Sequence, residues 1–77
     1  MLNLPDNDDR ADWAQKALAA FAAETNQSID HETEEIVTDF LCDLMHFCIR
    51  KEINFDNCLE NGTEHFRYES SPDYEGD

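Results

Sequence analysis

Asp39, Cys42, Asp43 and His46 are the residues whose types and spacing come closest to a chemical site. Cys42 and His46 stand four apart, as do Asp39 and Asp43, so a helix would carry all four along one side. Thiolate, imidazole and carboxylate are all zinc ligands, and a zinc site needs three or four of them. The paired CxxC and HExxH spacings are missing, so His65 or His31 would have to complete the set from another segment. The same Cys–His pair could activate a thiolate, but no oxyanion-stabilising loop stands near it in sequence. With Gly62 and Gly76 the only glycines, a phosphate-cradling loop is excluded as well. The expectation is no catalytic residue, no cofactor and no metal. The stripe is then a solvated one, in which Asp39 and Asp43 balance His46 and Arg50.

The acids offer a second chemistry, that of charge itself. Nineteen Asp and Glu against five Lys and Arg give a net charge of −14. Direct binding to nucleic acid or to an anionic membrane needs a basic face, and this balance argues against both. Glu32, Glu35, Asp39 and Asp43 fall at near-helical spacing, which sets a carboxylate roughly every 6 Å along one side of a helix. Such a ladder could stand in for a phosphate backbone and let the chain inhibit a nucleic-acid-binding enzyme as a DNA mimic. Keeping the protein soluble is the other use of the same charge.

These residues belong to the stretch Glu34–Lys51, EEIVTDFLCDLMHFCIRK, which reads as the central helix of a small all-α protein. Placed at about 100° per residue, its apolar side chains from Ile36 round to Ile49 fill an arc of roughly 220°. A helix lying on a single core needs only about half that width. The arc therefore asks for cover on two or three sides. Two further helices supply most of it, and Met45 and Ile49 at its far edge need either Leu2 and Leu4 or a second copy of the chain. A homodimer through this helix is the resulting expectation. A chain of 77 residues makes one domain with a marginal core, which points the same way.

The flanking segments supply the other helices. Residues 1–7 are a lead-in, and Asp6, Asn7 or Asp8 can cap a first helix that starts at about Asp8 or Asp9 and runs to Glu24. Trp13, Ala14, Ala17, Leu18 and Phe21 make its apolar face, with Trp13 as core anchor, and Ala19, Ala20, Ala22 and Ala23 allow a neighbour close approach. Asn26 terminates it. The second helix spans about 30–51, capped by Ser28 or Asp30 and ending in Arg50 and Lys51, cations where the helix dipole prefers them. Ile53 plugs the next joint, and Asn54 caps a third helix over about 55–68. Its stripe is Phe55, Cys58, Leu59, Gly62 and Phe66. Gly62 costs about 1 kcal/mol relative to alanine in a helix, so it marks either a close helix crossing or a break after Asn61. Cys48 and Cys58 are read as small buried hydrophobes, and the odd total of three cysteines as free thiols. The tail 70–77, SSPDYEGD, is expected to be disordered. No apolar run approaches a membrane span, and MLNLPDNDD has neither the basic nor the apolar segment of a signal peptide. The fold class is an all-α three-helix bundle, and the expected location is cytoplasmic.

Two resemblances go further. Short, acidic, helical nucleotide pyrophosphohydrolases carry ExxE on one helix and ExxD on the next to hold magnesium. Glu32 and Glu35 are similar to the first half, but no ExxD follows, since Glu60 and Glu64 stand four apart. A metal-dependent all-α hydrolase is what that resemblance would imply. The run Leu41-Cys42-Asp43-Leu44-Met45-His46, followed by Asn54-Phe55-Asp56 and His65-Phe66-Arg67-Tyr68-Glu69, resembles short bacterial reading frames of plasmids, phages and other mobile elements. It implies an α-helical domain over about 11–69 and no particular activity. The functional expectation is a non-enzymatic acidic protein that binds another protein. Its contacts are Glu32, Glu35, Asp39, Asp43 and His46, with Met45 and Ile49 wherever they are exposed.

Overall fold

A computed structural model describes residues 6–70. They form three helices, α1 (Asn7–Glu24), α2 (Thr33–Arg50) and α3 (Phe55–Ser70), and no strand among the described residues. The all-α, three-helix reading holds. The expected cover by Leu2 and Leu4, and the expected disorder of 71–77, lie outside the described residues. Ser70 belongs to the last turn of α3 rather than to a tail. The chain divides into two compact units, with the boundary inside α2 between Leu44 and Met45. No helix among the described residues is long and apolar enough to cross a membrane.

Each helix begins and ends for a local reason. Asp6 caps α1 in a reciprocal box: its carboxylate accepts from the Asp9 N–H at 2.9 Å, and the Asp9 carboxylate accepts from the Asp6 N–H at 3.2 Å. Asn54 caps α3, its side-chain oxygen accepting from the Asn57 N–H at 3.0 Å. The second helix starts at Thr33, three residues later than the sequence suggests. Residues 28–32 are taken up by a turn in which the Ser28 carbonyl accepts from the N–H groups of His31 and Glu32.

The two helix ends share one closure. After α1, the Gln27 N–H donates to the Ala22 carbonyl at 2.8 Å and the Asn26 N–H to Ala23 at 3.3 Å. After α2, the Ile53 N–H donates to Cys48 at 2.8 Å and the Glu52 N–H to Ile49 at 3.1 Å. Both are Schellman motifs, and each needs a left-handed residue just past the helix. Asn26 (φ 61°) and Glu52 (φ 58°) occupy those positions. Asparagine tolerates that conformation, whereas glutamate meets a Cβ clash worth roughly 1–2 kcal/mol and also sets a negative charge at the negative end of α2. Glu52→Gly is accordingly expected to raise the unfolding free energy by about 1 kcal/mol. Urea denaturation followed by circular dichroism reads this, and an unchanged or lower midpoint would count against it.

Among the described residues three are buried: Ala22, Ile36 and Cys48. In the first unit the Phe21 and Phe40 rings meet edge to face, centroids 5.2 Å apart and planes at 76°. Leu18, Phe21, Phe40 and Leu44 are half-buried. The buried side of α1 is thus the Leu18–Phe21–Ala22 side. Trp13, nine residues before Ala22, falls half-way round the helix from it and is 55% exposed, so it is not the core anchor. In the second unit Cys48 is buried as expected, but Cys58 is exposed. The 220° arc of α2 is only partly covered, because Val37, Leu41, Met45, Phe47 and Ile49 all remain substantially exposed.

Candidate interaction face

The polar side of α2 forms as the spacing requires. Glu35, Asp39, Cys42, Asp43 and His46 are all exposed on one continuous helix, on its polar stripe. What they do not do is converge. Among the described residues no group of three or more His, Cys, Asp or Glu side chains could hold a metal ion, so neither His31 nor His65 completes a set with Cys42 and His46. The zinc arrangement therefore has no support in the described geometry. Glu32 precedes α2, and its carboxylate accepts from the Ser28 N–H at 3.1 Å. The half-buried Glu32 is a local cap; its backbone carbonyl accepts the Ile36 N–H at 2.9 Å.

The acidic ladder is correspondingly shorter than the sequence indicates. Glu35, Asp39 and Asp43 remain, at successive i,i+4 positions and all exposed. One oxygen of Asp39 accepts from the Gln27 side-chain amide at 3.3 Å, which ties the α1–α2 turn to this face.

The feature that sequence reasoning under-weighted is the apolar ladder beside the acids. Val37, Leu41, Met45 and Ile49 also follow at i,i+4, and every one is exposed, Ile49 to 76%. On helical geometry Ile49 neighbours Cys42, and Cys42 neighbours His46 and then Asp39 and Asp43. Around α2 the accessible surface therefore runs from an apolar ridge, through Cys42 and His46, to an acidic edge. A lone exposed leucine is ordinary, whereas a run of large apolar groups left open beside charged ones is not. The sequence signal was present in the width of the arc. It could not show which part of the arc its own chain would leave uncovered.

No family model matches this chain, and no curated protein or solved structure matches it either.

Proposed function

We propose that this chain acts without catalysis, in the cytoplasm, by binding another protein through the exposed face of α2. The observation that carries the reading is the ridge Val37, Leu41, Met45 and Ile49 standing open beside Glu35, Asp39, Asp43 and His46. Such a ridge supplies a desolvated centre, and the carboxylates supply a rim that selects a basic partner surface and speeds encounter. The partner chemistry is an apolar patch bordered by Lys or Arg.

Tagged full-length chain is used to capture partners from a lysate of its source organism, beside two variants. Met45→Glu with Ile49→Glu removes the apolar centre, and Glu35→Lys with Asp39→Lys reverses the rim. All four positions are exposed, so helix content should hold. The first variant is expected to lose at least about 2 kcal/mol of binding, roughly 30-fold in affinity. The second is expected to lose binding mainly at low salt. A partner retained at full strength by both variants would remove α2 as the site. Adding duplex DNA tests the DNA-mimic reading, which the exposed Glu35–Asp39–Asp43 ladder favours. A nucleic-acid enzyme released by DNA supports mimicry, and a partner indifferent to DNA supports an ordinary regulator.

A further inference from the structure

The third helix poses a separate problem. None of its 16 residues is buried. Its stripe Phe55, Leu59, Gly62 and Phe66 is nonetheless apolar, with Leu59 54% and Phe66 66% exposed. A helix of this length is marginal in water unless its apolar face is covered, and this one carries a glycine in its middle. That glycine serves no crossing within the chain: a Cβ placed on Gly62 meets nothing within 4 Å. Nor is it a break, since α3 runs unbroken through it. Both expectations for Gly62 are corrected here.

The spacing says what kind of surface this is. Steps of 4, 3 and 4 residues alternate as the a and d positions of a coiled-coil seam do, and such a seam is narrower than the face a helix turns to a globular core. It fits one other helix. The stripe is also complementary to itself when a copy is turned end for end. Aligned about the midpoint of residues 60 and 61, Leu59 of each copy lies over Gly62 of the other, a large side chain over a position with no side chain, and Phe66 meets Phe55. Asp56 and Arg67 lie on one flank of α3 near opposite ends, with Leu59, Glu60, Thr63 and Glu64 along the open surface between them. In an antiparallel two-fold pair like flanks meet, so each Asp56 comes near the Arg67 of the other copy, whereas in a parallel two-fold pair opposite flanks meet and the two residues stay on opposite sides of the seam.

We propose that α3 is a self-pairing helix: two copies of this chain associate antiparallel along the Phe55–Leu59–Gly62–Phe66 seam, with Leu59 of each seated on Gly62 of the other. This surface is distinct from the α2 face proposed for a protein partner. One short helix buries less than the ~800 Å² per partner of a standard interface, so the pair is reversible.

Sedimentation equilibrium of the full chain under reducing conditions, over a hundredfold range of concentration, is the test. The wild type should pass from monomer to dimer. Gly62→Leu removes the recess and should weaken association at least tenfold, with helix content equal or higher because leucine is the better helix former. An indiscriminately sticky stripe predicts the reverse, stronger association on adding leucine, and that result overturns the proposal. So does a wild type that stays monomeric throughout, which would mean another segment of the chain covers the stripe. Orientation is read with Cys42→Ser, Cys58→Ser chains carrying either Leu59→Cys or Gly62→Cys. Oxidation of an equal mixture should give mainly the mixed disulfide, and a preponderance of either like pair overturns the antiparallel register. Met45→Glu with Ile49→Glu should leave self-association intact, so the α2 and α3 proposals fail or stand separately.

Discussion

Ile36→Ala is expected to remove about 2–5 kcal/mol of stability, the range for deleting a fully buried isoleucine side chain. Among the described residues Ile36 is the one large side chain with no exposure at all. A chain of this length has on the order of 4–11 kcal/mol to lose, and a core of three buried residues among those described points to the bottom of that range. The variant should therefore keep at most about 2 kcal/mol of stability at room temperature. Urea denaturation followed at 222 nm tests it, with Ile49→Ala as the internal comparison. Ile49 is on the same helix but exposed, so its loss should stay within about 0.5 kcal/mol. If the two substitutions cost the same, the burial pattern of α2 described above is wrong.

Phe40→Ala is expected to be the next most costly change, at about 2–4 kcal/mol, because Phe40 is half-buried and carries the ring contact with Phe21. Two effects are mixed in that figure, and a leucine separates them. Phe40→Leu keeps most of the apolar area but loses the edge-to-face geometry, which is worth about 0.5–1.5 kcal/mol beyond area. In a Phe21→Leu background that geometry is already gone, so Phe40→Leu should there cost less by that amount. Equal costs in both backgrounds would mean the rings contribute as bulk alone.

What could be read from the sequence was local. Asp6, Asn26 and Asn54 terminate helices because a side chain or a left-handed backbone satisfies groups within a few residues, and spacing alone encodes that. The three helices and the burial of Cys48 follow from periodicity in the same way. What failed was rotational. The alanines of α1 give little hydrophobic contrast around the helix, so the bulk of Trp13 drew the expected core towards the side that the chain leaves open. Gly62 and Cys58 failed because a stripe on α3 was assumed to be packed by the chain that carries it. Glu32 failed for a finer reason: a carboxylate four residues after Ser28 can serve the backbone or the surface, and only the start of α2 at Thr33 decides which.

The paired closures at Asn26 and Glu52 bear on how quickly this chain finds its fold. The hydrogen bonds that stop α1 and α2 link residues no more than five apart, so both ends are set before any distant segment has to be searched for. Helical proteins dominated by such short-range closures reach their native state in microseconds to milliseconds. Subunit meeting, by contrast, depends on concentration and runs from milliseconds to minutes. On the self-pairing proposed for α3, the slow event would be encounter rather than folding, and its rate would be set by how much of the chain is present.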